Sequence, residues 1–237
     1  MSNTDGRIQP AGDLFLKVIR QGWPDATYPS DPSMRDIARH GLPARGLSDT
    51  VNEWRASNAK RLLPQAAKLA VARAAQKIHG MPFMYGALWL RVFRGDGTID
   101  DLGLASLRVV TTAGVTYICA DIAGGASDSS DFKYHGFGVG TTAEASGQTA
   151  LVTELTTEYV TNSTRPTGSQ SASTNTYTTV ATLSPDSGGT LAITEHGIFS
   201  ATSAGTLLDR SVFSAVNLVA SSDSLQATYV LTLPAGS

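Results

Sequence analysis

The sequence predicts a mainly β protein, with an antiparallel, jelly-roll-like β-sandwich in its C-terminal part and an extended arm and α-helical region before it. Two observations favour this fold class. After Gly80 the hydrophobic pattern changes from helical to alternating. Short alternating segments then recur between clusters of Gly, Ser, Asn and Asp, a spacing that is typical of sandwiches. We therefore divide the chain into residues 1–80, the arm and helical anchoring region, and residues 81–237, the β-sandwich domain.

Nine apolar or alternating segments are predicted to be strands. Threonine recurs on one side of the last of them, so we expect one sheet face to be buried and the other to face water. Cys119, the single cysteine, falls in the apolar run 115–122 and is expected to be a buried, inert thiol. The predicted strands cover residues 87–93, 107–111, 115–122, 133–139, 151–160, 176–183, 190–199, 212–219 and 225–233.

The region before the strands predicts two helices. Ser48 is a suitable N-cap for the first helix, and Pro64 should break or kink it because proline lacks the amide hydrogen that continues a helix. An alanine-rich second helix should follow over 65–79 and end at Gly80. An extended arm is expected near the N-terminus, where proline recurs at Pro10, Pro24, Pro29 and Pro32.

Charge is divided unevenly along the chain. Residues 33–79 contain nine basic and three acidic residues, whereas residues 131–237 contain three basic and eight acidic ones. The basic region could bind nucleic acid, form a solvated helix face, or dock onto a charged protein lattice. The third interpretation fits the acidic, hydroxyl-rich sandwich best, so nucleic acid is not the expected partner. The expected contact residues are Arg35, Arg39, Arg45, Arg55, Lys60, Arg61, Lys68, Arg73 and Lys77.

None of the possible catalytic sites in this sequence has the residues that its chemistry requires. A Ser-His-Asp site would need His135 or His196, but the Gly-x-Ser-x-Gly turn that presents a nucleophilic serine is missing. Glu195 and His196 are adjacent in a predicted strand, so their side chains should point to opposite faces and could not act as a pair. We expect a protein without enzymatic activity.

The sequence also predicts neither a metal site nor a bound cofactor. The four histidines are too scattered to give a ligand spacing, and Gly136–Gly140 lacks the Lys-Ser/Thr pair of a phosphate-binding loop. Asp96, Asp100 and Asp101 are interpreted as parts of a hairpin turn, because the twelve-residue calcium-loop pattern is missing. No apolar run approaches the about 20 residues that cross a membrane, and the N-terminus lacks a signal-peptide pattern.

Several motifs in the second half of the chain resemble a recurrent family of tailed-phage structural proteins. The resemblance covers about residues 104–236, and the segment before Gly80 has no part in it. The motifs are KYHGFGVGTTAEA (133–145), GQTALVTELTTE (147–158), RPTGSQ (165–170), ITEHGIFS (193–200), LLDRSVFS (207–214) and DSLQATY (223–229).

Membership of this family implies a component of the virion, assembled in the host cytoplasm. The expected role is that of a capsid cement or decoration protein that bridges major capsid protein subunits, because small sandwiches commonly serve this purpose. The alternative is a tail, neck or fibre attachment protein. A weaker third role is carbohydrate binding or hydrolysis, with Trp23, Trp54 and Trp89 as stacking candidates. Exposed strand edges predict a homo-oligomer, a dimer or trimer.

The sequence leads to two further structural expectations. Residues 190–199 should form an internal strand with Ile193, Glu195, Gly197 and Phe199 on one face, and a buried Glu195 should pair with Arg210. Residues 1–80 are expected to anchor the protein to its lattice, so a chain that begins at residue 81 should stay folded but bind particles poorly.

Overall fold

The computed structural model describes residues 42–80, 83–159, 164–186 and 189–234. Within them, eight strands form two antiparallel sheets and two α-helices accompany the sheets, which confirms the mainly β fold class. The jelly-roll form of the sandwich is not confirmed by this topology. The proline-rich arm, with Trp23, Arg35 and Arg39, lies outside the described residues.

The large sheet has five strands in the order β2-β1-β8-β5-β4, and the small sheet has three in the order β3-β6-β7. Their core contains side chains from both sheets, including Leu90, Phe137 and Phe213. The strands are β1 (Tyr85–Phe93), β2 (Ile99–Val109), β3 (Tyr134–Gly138), β4 (Ser169–Ser173), β5 (Thr176–Leu183), β6 (Thr190–Phe199), β7 (Leu207–Val219) and β8 (Ser224–Thr232).

The first helix, α1 (Asp49–His79), is one continuous helix, so the predicted break at Pro64 is wrong. Both expected ends are confirmed: the Ser48 hydroxyl accepts a hydrogen bond from the amide of Val51, and Gly80 ends the helix in the left-handed conformation. Pro64 is exposed, so water can solvate the carbonyl that it leaves without a donor. The helix is also held on both sides of the proline by residues that pack on the sheets.

The inner face of α1 is part of the protein core. Leu62, Ala66 and Leu69 pack on the large sheet against residues that include Trp89 and Leu104. Near the start of the helix, Val51 and Trp54 join the core between the sheets. The region 1–80 therefore does more than anchor the protein, because its helix covers apolar surface of the sandwich. No helix among the described residues has the length and apolar character of a membrane span.

The second helix, α2 (Thr112–Ile122), replaces a predicted strand over 115–122. Thr111 caps it by accepting a hydrogen bond from the amide of Gly114 at 3.0 Å. Cys119 is exposed on this helix, so the expectation of a buried thiol is also wrong. A short apolar run does not distinguish a strand from a helix by periodicity, and the preceding threonine cap was the signal that favoured the helix.

The predicted strand over 151–160 is also wrong, although its first residues lie beside a strand. Glu154 forms an isolated bridge with Gly138, and no regular strand continues from it. Residue 160 lies outside the described residues. By contrast, the predicted segments 176–183 and 190–199 are confirmed as β5 and β6, and β6 is the internal strand of the small sheet.

The hairpin between β1 and β2 confirms the turn predicted at Asp96. The amide of Arg94 donates to the Thr98 carbonyl at 2.9 Å, and Asp96 accepts from the Thr98 amide at 2.9 Å. The second strand begins at Ile99, earlier than the predicted start at residue 107, because two register shifts accommodate its Asp- and Gly-rich first half against β1.

Candidate functional site

The predicted contact residues of α1 divide into two groups. Arg55 and Arg73 are half-buried and bind the large sheet: Arg55 donates to the Asp101 carbonyl at 3.0 Å, and Arg73 donates to the Tyr85 hydroxyl at 3.2 Å. The remaining described candidates are exposed and available to a partner. They are Arg45, just before the helix, and Lys60, Arg61, Lys68 and Lys77 on it.

An apolar stripe runs along the solvent side of α1 between these cations. We define the outer stripe as Leu63, Ala67, Val71, Ala74 and Ile78, whose spacing of 4, 4, 3 and 4 residues places them on one helix face. Leu63 is 51% exposed, Val71 71% and Ile78 75%. Because α1 also buries its opposite face, it is apolar on two sides, and exposed apolar patches of this kind often mark interaction sites.

The charges around the outer stripe have one sign. Residues 54–79 contain six basic residues and no acidic one. At 100° per residue, Lys68 lies on one flank of the stripe and Lys77 on the other, while Lys60 continues its line toward the helix start. A surface that is apolar at its centre and positive at its rim favours a partner with an apolar patch and an acidic rim.

The motifs of the second half hold the long loop, defined as residues 139–159 and 164–168, onto the small sheet. Glu195 is fully buried and forms an ion pair of 2.6 Å with Arg210, as predicted from the sequence. Its carboxylate also accepts from the amides of Gly140 at 3.0 Å and Thr153 at 2.7 Å. Gly138 leaves no room for a side chain beside Glu195 and the Thr153 carbonyl, so this glycine permits the close approach.

Glu195 does not share its face with all the predicted residues. Phe199 faces the long loop, as Glu195 does, because it packs with Leu151 of that loop. Ile193 packs instead in the core that contains Phe137. Pairing with β7 shifts its register between Ile193 and Glu195, and such a shift reverses the alternation of faces.

Two further Arg–Glu pairs hold the same loop, and sequence reasoning missed both. Arg165 binds Glu154 through two hydrogen bonds of 2.6 and 2.9 Å and stacks over the Phe199 ring at 3.3 Å. Arg108 forms an ion pair with Glu144, which also accepts from a β7 amide. Glu144, Glu154 and Arg165, which lie in the motifs, therefore have a structural role in the long loop.

The two histidines considered for catalysis lie between the sheets. His135 Nδ1 is 3.0 Å from His196 Nε2, and His135 Nε2 is 3.1 Å from the Thr179 hydroxyl. His135 is 0% exposed and His196 1%, so a substrate could reach them only if the sheets separated. Glu195 and His196 do point to opposite faces, because Glu195 contacts the long loop while His196 contacts His135.

Burial shifts the pKa values of three side chains, those of His135, His196 and Asp209. It lowers the pKa of His135 from 6.5 to about 3, and it lowers that of His196, where the neighbouring His135 adds to the effect. Asp209 is also fully buried, next to the Tyr229 hydroxyl, and burial raises its pKa from 3.8 to about 7.

We expect acid to destabilise the protein between about pH 6.5 and 4. In this window the two histidines bind fewer protons in the folded state than in the unfolded chain. Their contribution to the free energy of unfolding therefore decreases as the pH is lowered. Asp209 has the opposite effect, since its folded pKa is raised, but it is one group against two. Asp209→Asn should remove this compensation and steepen the loss. Thermal unfolding of both proteins across this pH range is the measurement, and a melting temperature that rises on acidification would contradict the assignment.

Among the described residues, no group of three or more His, Cys, Asp or Glu side chains is placed to hold a metal ion. At the β1–β2 hairpin, Arg94 binds Asp100 at 2.8 Å and also binds Asp223, from the turn between β7 and β8, at 2.9 Å. Comparison with protein-family models gives no match, and comparison with curated proteins gives none either.

Proposed function

We propose that the chain is a structural component of a tailed-phage virion, and that it serves as a capsid cement or decoration protein. Two things support this proposal: the resemblance of the motifs between residues 133 and 229, and the form of the molecule. The Arg108–Glu144 ion pair and the loop amides bound by Glu195 hold the long loop on the sandwich, and α1 presents an apolar, positively charged surface. A protein that bridges shell subunits needs such a rigid body and such a docking face.

The observation that carries the proposal is the outer stripe of α1 with its cationic rim. In this role the stripe packs on an apolar patch of the major capsid protein, while Lys60, Lys68 and Lys77 face acidic residues around it. The apolar contact supplies affinity, and the charges supply orientation and rate of association. Arg55 and Arg73 take no direct part, because their side chains bind the large sheet.

Replacing two exposed residues of the stripe should weaken attachment to the shell. We expect Val71→Gln/Ile78→Gln to lower retention on phage heads that lack the protein by at least about tenfold, the equivalent of roughly 1.4 kcal/mol. Val152→Gln is the matched control, since Val152 is 50% exposed but lies on the long loop. Retention is measured by co-sedimentation of purified protein with heads, and thermal unfolding checks that each variant is folded.

Separate assays with heads, tails and duplex DNA distinguish the alternatives. Binding to tails but not heads would replace the cement role with that of a tail, neck or fibre protein. Tight binding to DNA that falls steeply with salt would indicate nucleic-acid recognition by the same cations. Equal retention of Val71→Gln/Ile78→Gln and wild type on heads would show that α1 is not the contact surface.

A further inference from the structure

Two sheets have four edges, and three of them are covered by other parts of the described chain. At the edge of β3, the Val139 amide donates to the Thr153 carbonyl and the Leu155 amide to the Phe137 carbonyl, both at 2.9 Å. Further along, the His135 amide donates to the Pro166 carbonyl at 2.9 Å. The long loop therefore covers this edge.

The edges of β2 and β7 meet at one corner, where α1 covers both. The Asn58 side chain is fully buried: its amide donates to the Ala105 carbonyl of β2 at 2.9 Å, and its oxygen accepts from the Ser214 amide of β7 at 3.0 Å. Gln65 accepts from the Leu107 amide at 2.8 Å, and Trp54 donates to the Ser214 carbonyl at 2.9 Å. Side chains of α1 thus take the place of a neighbouring strand.

The fourth edge belongs to β4, and no described backbone group bonds to the outer side of its five residues. At its start, the Gly168 amide donates to the Lys133 carbonyl at 2.6 Å, and the Gln170 side chain donates to the Ser130 carbonyl at 2.8 Å. β4 pairs with β5 on its inner side, and all five of its residues are exposed. Its sequence, Ser-Gln-Ser-Ala-Ser, contains no charge and no proline, which are the features that natural edge strands use to prevent pairing. Every second residue of an antiparallel strand directs its amide and carbonyl outward, so β4 offers unpaired hydrogen-bonding groups.

We propose that β4 pairs antiparallel with β4 of a second copy of this chain, which joins two large sheets into one ten-stranded sheet. Full overlap of the five residues places Ser171 on the two-fold axis, with Ser169 of one copy opposite Ser173 of the other. An uncharged strand of small residues is suited to this pairing, because no like charges meet across the axis.

Paired charge variants test both the edge and the register. In Ser169→Lys/Ser173→Lys, lysines face each other twice across the axis, and we expect the dimer dissociation constant to rise by about tenfold or more. In Ser169→Lys/Ser173→Glu, each lysine faces a glutamate, and the dimer should be retained. Both variants carry two changes at the same positions of the same exposed strand, so each is the folding control for the other. The mass of the full chain is measured by sedimentation velocity over a range of concentrations.

The expected result is a wild-type dimer that is lost with two lysines and kept with lysine and glutamate. A wild-type protein that remains a monomer at every concentration would overturn the proposal. Coverage of β4 by another segment of its own chain would give this result. A Lys/Lys variant that dimerises as tightly as wild type would place the interface elsewhere, and equal loss in both variants would contradict the register around Ser171.

Discussion

Glu195→Gln is expected to destabilise the protein by about 3–5 kcal/mol, because it leaves the Arg210 guanidinium buried without its counter-charge. Arg210 is 2% exposed and Glu195 0%, so water cannot replace the lost partner. The variant also weakens the acceptor for the amides of Gly140, Val152 and Thr153, which should loosen the long loop. Chemical denaturation followed by tryptophan fluorescence measures the change in unfolding free energy.

An exposed ion pair and a double replacement provide the controls. Lys133 and Asp131 lie 3.6 Å apart with side chains 26% and 40% exposed, so Asp131→Asn should change the unfolding free energy by no more than about 1 kcal/mol. Glu195→Gln/Arg210→Met should recover part of the loss by removing the unpaired charge. A loss in Glu195→Gln no larger than that in Asp131→Asn would show that the buried pair does not hold the loop.

A chain that begins at residue 81 is expected to lose cooperative unfolding. It lacks the buried side chains of Val51, Trp54, Leu62 and Leu69, and burial of each large apolar side chain contributes about 1.5–3 kcal/mol. Their combined loss is comparable with the entire net stability of a typical domain, about 5–15 kcal/mol. The truncation also leaves Ala105 and Ser214 without their Asn58 partner.

Calorimetry of this chain and of one that begins at residue 42 shows whether a loss of cooperative unfolding comes from removing α1 or from removing residues 1–41. The longer chain keeps α1 and should retain a cooperative transition. A cooperatively folded 81–237 would contradict the packing of α1 as a part of the core. It would support the simpler division into an anchor and an independent sandwich that the sequence alone suggested.

Features that depend on neighbouring residues could be predicted from the sequence. Ser48 and Gly80 mark the ends of α1 by local capping chemistry, and residues 176–183 alternate clearly enough to fix β5. The Glu195–Arg210 pair could also be predicted, since a buried carboxylate requires a cation and few cations are present in the second half of the chain. The break predicted at Pro64 was wrong because the local effect of proline was outweighed by tertiary packing on both sides.

Features that depend on distant residues left no comparable signal. The pairing of Arg165 with Glu154 depends on how the long loop folds back, and nothing in the alternation of residues encodes that path. The outer stripe of α1 is visible as a spacing of three and four. Because α1 has apolar residues on two opposite sides, however, the sequence does not reveal which side the sheets cover, and only the structure identifies the exposed one.

The corner closed by Asn58 has a consequence for how the chain folds. Asn58 bonds to residues 47 and 156 positions further along the sequence, and Trp54 bonds to one 160 positions further. During synthesis α1 can pack on β1 and β2 soon after they are made, but Trp54 and Asn58 lack their Ser214 partner until β7 has been made. Such long-range closure slows folding and prolongs the exposure of aggregation-prone intermediates, so nascent chains of this protein should depend on chaperones until β7 leaves the ribosome.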